Sequence, residues 1–213
     1  MPPFGLIGRL WIALTGIIGA LWALSRKTFH AEVINSPKIL ICSVGEHGML
    51  EKQASDDFRV YSEIYKNVRC NKFKGAREFL QHIKSESYDI VHFLAFFNED
   101  KRVIDGEDDI TDFDIVTTSR DANVKWLFSA AENNSPFTNT QFGPLPLHFV
   151  FTIRRSGDIF DRWLERLLLL MAKGTSMPVA WVTLVPQIPE LADKTESPGC
   201  VFAGGRGQAL FLP

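Results

Sequence analysis

Apolar runs of strand length, separated by helical stripes, constrain this chain more than any other feature. Residues 38–44 (KILICSV) show no polar alternation and stop at Gly45, as a strand buried on both faces does. Residues 49–65 follow as an amphipathic helix with Leu50, Ala54, Phe58, Tyr61 and Tyr65 on one stripe. A short strand at 68–70 and a helix at 75–85 come next, the helix turning Ala76, Phe79, Leu80 and Ile83 inward. Residues 88–94 (YDIVHFL), 124–130 (VKWLFSA) and 147–152 (LHFVFT) repeat the buried-strand pattern. Residues 156–173 carry Ser156 at the cap, Asp158 and Asp161 early, apolar residues from Ile159 to Met171 at helical spacing, and Gly174 at the stop. Residues 178–184 (PVAWVTL) are expected to form a further strand, and 201–203 with 209–212 a hairpin across Gly204-Gly205-Arg206-Gly207. Strands alternating with helices predict an α/β fold, a mostly parallel sheet flanked by helices on both faces. In such sheets, sites form beyond the carboxyl ends of the strands. Those ends fall here at 45–48, 95–100, 131–135 and 153–156.

The N-terminus departs from this pattern. Arg9 is the one charged side chain of residues 1–25, so the rest of the chain carries 22 bases and 25 acids. Residues 10–24 (LWIALTGIIGALWAL) hold no charge. Residues 4–25, with Arg9 snorkelling, make a helix of roughly 31 Å, long enough for a bilayer core. Trp11 and Trp22 lie near its two ends, and Arg26 and Lys27 follow at once. Aromatic ends with a basic C-terminal flank predict a single-pass anchor with the following domain in the cytoplasm. Gly16 with Ala20, and Gly19 with Ala23, form small-xxx-small pairs that permit self-association. A cleaved signal peptide (Ala23-Leu24-Ser25) and a buried or peripheral helix are the alternatives. The expected organisation is therefore an anchor at 1–25, a polar linker at 26–37 and an α/β domain at 38–213. Three Cys in no metal-type spacing suit a reducing compartment and offer no disulfide framework.

The strand ends hold few chemical groups. Gly45-Glu46-His47-Gly48 matches neither the dinucleotide glycine pattern nor the P-loop, so it reads as a plain turn with a solvated His47 and implies no cofactor. The near balance of charge, with isolated basic pairs at Lys101-Arg102 and Arg154-Arg155 too small for nucleic acid, argues against a dedicated nucleic-acid binder. Residues 98–114 (NEDKRVIDGEDDITDFD) hold eight acids and two bases, without the spacing of a calcium loop. They read as a solvated acidic loop, or one that docks a basic peptide.

Two strand ends carry a resemblance. His92-Phe93-Leu94-Ala95-Phe96-Phe97 ends one strand and Ser129-Ala130-Ala131-Glu132 the next. In order and pattern, residues 38–213 resemble the caspase-like CHAT family of cysteine proteases. There the first of these strands ends in His-x-x-x-His-Gly and the second in Asn-Ala-Cys-Glu. The second His is the general base and the Cys the nucleophile. On this match His92 takes the place of the first His, Phe96 that of the base, Phe97 that of the Gly and Ala131 that of the nucleophile. Thiolate attack needs a sulfur and a base, and neither Phe nor Ala supplies them. The resemblance therefore implies a degenerate, non-catalytic domain. Its vestigial cleft of His92, Phe96, Phe97, Ala131 and Glu132 would hold a protein partner, in a setting such as bacterial stress or defence.

Two other classes of function stay open at this point. One is a hydrolase using His92, Glu132 or Cys42, with Glu132 acting as the carboxylate does in nucleotide-cleaving TIR-like domains. The other is a flavodoxin-like ligand-binding module. His92 also fits a hydrogen-bonded strand histidine, and Cys42 a core thiol.

Overall fold

The computed structural model describes residues 31–105, 109–132, 148–155, 157–184, 199–204 and 209–213. The expected anchor at 1–25 and the helix cap Ser156 lie outside them. Among the described residues, no helix is long and apolar enough to cross a membrane.

The strands are β1 (Glu32–Asn35), β2 (Ile39–Val44), β3 (Val68–Phe73), β4 (Ile90–Leu94), β5 (Trp126–Ser129), β6 (His148–Arg154), β7 (Gly199–Gly204) and β8 (Ala209–Leu212). The helices are α1 (Gly48–Ile64), α2 (Ala76–Ser85), α3 (Asp112–Asp121), α4 (Gly157–Ala172) and α5 (Met177–Leu184). The main sheet has the order β3-β2-β4-β5-β6-β7. Its first five strands are parallel and β7 runs antiparallel to β6. β2 and β4 are buried at every position because both of their faces are covered. Ile90 and Leu94 enter a cluster under α1, α4 and α5, whereas Val91 and Phe93 enter a second one under α2 and α3. This is the doubly covered α/β sheet expected from the alternation.

Three elements differ from expectation. Residues 178–184 form helix α5 and not a strand. An uncharged eight-residue run has no readable period, and Pro178 sits in the first turn, where its missing N–H is not needed. The segments at 201–203 and 209–212 do not pair as a hairpin. β7 joins β6 in the main sheet, while β8 pairs parallel with β1 in a separate two-stranded sheet. The polar linker at 26–37 therefore contains a strand, and the compact unit begins at Ala31, not at residue 38.

The acidic stretch is also more structured than a solvated loop. Thr111 and Asp114 form a reciprocal capping box at the start of α3, and Asp112 is buried there.

Candidate functional site

The order β3-β2-β4-β5-β6 reverses direction between β2 and β4, and a doubly wound sheet opens a crevice at such a point. Here the chain after β4 folds back over it. Phe97 bridges Val103, and the Ile104 N–H donates to the Phe96 carbonyl at 2.8 Å. The Ile104 carbonyl accepts from His47 Nε2 at 3.0 Å, and the His47 ring meets the Phe96 ring edge-on at 5.3 Å. His47, expected in solvent, is thus half-buried under this loop. Gly45 has φ +88°, and a Cβ there would lie 3.1 Å from the Ile104 carbonyl oxygen, so the close approach of the loop depends on glycine. Asp105 accepts the Ala76 N–H at 2.6 Å, placing a carboxylate of the same chain on the N-terminus of α2.

The five residues expected to line one cleft divide between environments. Phe96 packs against the α1–α4–α5 cluster, of which Ala131 is a fully buried member. Phe97 packs against the opposite cluster, under α2 and α3. Side chains alternate along the extended chain leaving β4, so neighbours in sequence face opposite sides. Glu132 is exposed, and its carboxylate accepts the Arg155 backbone N–H at 3.0 Å.

His92 is fully buried at the centre of a polar network. Its Nε2 lies 2.8 Å from an Asp57 carboxylate oxygen and its Nδ1 3.2 Å from the Tyr61 hydroxyl. Asp57 is also completely buried. The Arg155 guanidinium grips it with two bonds, Nη1 to Oδ2 at 2.9 Å and Nη2 to Oδ1 at 2.7 Å. Arg155 Nη1 also donates to the Ala130 carbonyl at 3.3 Å, and its Cζ stands 3.9 Å from the Phe160 ring centroid.

Proton positions follow from the partners. Burial alone would raise the Asp57 pKa, but His92 and Arg155 together hold it below the ordinary value, so it is a carboxylate that only accepts. His92 Nε2–H therefore donates to Asp57, and Nδ1 accepts from the Tyr61 hydroxyl. Burial, reinforced by the Arg155 charge, outweighs the pull of Asp57 and lowers the His92 pKa, so the ring is neutral. Both ring nitrogens are engaged and the ring has no solvent exposure. The triad ties α1, β4 and the chain leaving β6 together.

Cys42 is buried in β2, and burial raises its thiol pKa well above the usual range, the reverse of an activated nucleophile. Among the described residues, no group of three or more His, Cys, Asp or Glu could hold a metal ion.

Asp57 and Arg155 were not among the expected site residues. A signal for Asp57 existed: it falls on the Leu50–Ala54–Tyr61 stripe of α1, where an acid needs a buried partner. Arg155 reads as half of a surface basic pair, and nothing local marks it. Comparison of the chain with models of known families and with curated proteins found no match.

Proposed function

We propose that this chain is a membrane-anchored, caspase-like pseudoprotease domain of the CHAT type that binds a protein partner without cleaving it. The observation that carries the proposal is the placement of Phe96 and Ala131 just beyond the ends of the neighbouring strands β4 and β5. Both abut one hydrophobic cluster at the places where the resemblance puts base and nucleophile. A thiol and a solvent-accessible imidazole are both missing from these two positions.

The other groups weigh in the same direction. His92 has no nitrogen to offer a substrate, and Cys42 lies in the core as a neutral thiol. Glu132 is accessible, but its carboxylate is engaged by a backbone N–H. A flavodoxin-like ligand site would need the crevice that the 95–105 loop covers, and Asp105 stands on the adjoining helix N-terminus. The rim of that loop, with half-buried Phe96 and 41 % exposed Ile104, offers an apolar surface for a partner at the strand ends.

Photo-crosslinking from position 104 of the full chain, expressed in its membrane, tests this. One recurrent crosslinked protein, lost on Phe96→Asp, is expected. Peptide turnover by the purified chain that Glu132→Ala abolishes would overturn the proposal.

A further inference from the structure

Two bases compete for the Asp57 carboxylate. His92 Nε2 and Arg155 Nη1 reach the same oxygen, Oδ2, at 2.8 and 2.9 Å, and Arg155 Nη2 takes Oδ1 at 2.7 Å. The site holds one positive charge. Arg155 cancels the carboxylate, while neutral His92 and Tyr61 add none. A second proton on His92 would leave a net positive charge among buried groups, and an uncompensated buried charge is strongly destabilising. One cation must then leave.

The geometry decides which. His92 sits on β4 between Ile41 of β2 and Phe128 of β5, with the Phe128 ring edge-on at 4.6 Å and no solvent exposure. Arg155 lies in the chain between β6 and α4. Its side chain is 5 % exposed, where that of Asp57 has no exposure. A second acid is at hand. Asp161, early in α4 and 32 % exposed, has its Oδ1 3.5 Å from Arg155 Nη2. A rotation about the flexible arginine stem therefore exchanges a buried carboxylate for a hydrated one. His92 can then serve Asp57 alone. Its Nε2–H stays on Oδ2, and its new Nδ1–H turns the Tyr61 hydroxyl from donor to acceptor.

We propose that His92 and Arg155 form a counter-ion exchange latch: when His92 takes up a proton, the Arg155 guanidinium leaves Asp57 for Asp161 and unfastens the start of α4 from α1. The Ala130 carbonyl at the end of β5 loses its guanidinium donor in the same step, whereas the Arg155 backbone N–H keeps its bond to Glu132. Among the described residues, the titratable and charged groups around the site are Asp57, Tyr61 and Tyr65 from α1, Cys70 from β3, Arg155 and Asp161. β2 and β5 present Ile41 and Phe128. Burial raises the pKa of both tyrosines and of Cys70, so these keep their protons where a histidine titrates. Asp57 stays ionised because one cation remains on it throughout. Burial and the Arg155 charge hold His92 below its ordinary value of 6.5, so the latch is shut at neutral pH and opens on the acid side.

The test is an NMR titration of the full chain in detergent micelles from pH 8 downward. The ring carbons of His92 report its second proton, hydrogen exchange of each guanidinium reports its burial, and the backbone amides of β2 and β4 report the fold. Exposed Arg59 is the reference, which cancels the direct effect of pH on exchange. Through the step in which His92 becomes charged, exchange at Arg155 is expected to rise about tenfold or more relative to Arg59, while the β2 and β4 amides stay protected. Asp161→Asn is expected to move that step to lower pH, because the released guanidinium then lacks its second acid. Charging of His92 with Arg155 still protected would overturn the exchange, since both cations would then share Asp57. A His92 that stays neutral until the β2 and β4 amides lose protection would also overturn it, leaving acid unfolding without a latch. An unchanged step in Asp161→Asn would overturn Asp161 as the receiving acid.

Discussion

Replacing Arg155 with methionine keeps the buried stem and removes the charge that holds Asp57. In the native chain the carboxylate has two guanidinium bonds and one imidazole bond, all within 2.9 Å. Breaking a buried pair by removing one partner costs about 3–5 kcal/mol, because the remaining charge stays uncompensated. His92 offers a partial remedy. With Arg155 gone, a proton on the imidazole would restore neutrality 2.8 Å from Asp57, so the folded-state pKa of His92 should rise above its unfolded value. A raised pKa contributes stability that is full below about 6.5 and is lost as pH rises through the folded value. The native His92 has the opposite sign. Its pKa is lowered, so its contribution is full above about 6.5 and is lost as pH falls from there toward the folded value. Buried His148, held down to about 4, adds to the native acid sensitivity but is common to both proteins and cancels in their difference. The destabilisation by Arg155→Met should therefore shrink by roughly 1–2 kcal/mol between pH 8 and pH 6. Urea unfolding of the full chain in mild detergent at the two pH values measures it. A loss that is the same at both, or below about 1 kcal/mol throughout, would refute the assigned charges.

Three further outcomes follow from the same geometry. Tyr61→Phe leaves the buried Nδ1 of His92 without its donor and should cost about 1–3 kcal/mol in the same urea assay. Gly45→Ala forces a side chain onto φ +88° against the Ile104 carbonyl and should lower stability by about 1–2 kcal/mol, with faster proteolysis in the 95–105 loop. Under native conditions a maleimide should modify Cys70 while sparing Cys42, which should react only on unfolding; equal rates would contradict the placement of Cys42 in the core.

What was readable in the sequence follows the distance over which each signal acts. The buried strands around Ile41, Val91 and Leu127 were visible because a strand covered on both faces reads as a near-continuous apolar run rather than an alternating one. Helices α1, α2 and α4 were visible because each keeps an apolar stripe against the sheet. α5 was not, since an uncharged run of eight residues fits a strand or a helix equally. The β1–β8 pair joins segments 177 residues apart in register (Glu32 with Ala209), and nothing local in either announces the other. The same holds for the triad. His92 was singled out for its place at a strand end, but its partners come from α1 and from the turn after β6, brought in only by the fold. Asp57 was hidden by reading Phe58 as the stripe residue, where the structure buries Asp57 fully and Phe58 only in part.

The central claim is that the strand ends bind and do not cut. Incubating the purified full chain with a peptide library derived from a whole proteome, and sequencing new peptide termini by mass spectrometry, tests it most directly. The account predicts no new termini above those seen with heat-unfolded chain. A specific set of new termini, absent when Glu132→Ala replaces the native chain, would contradict it.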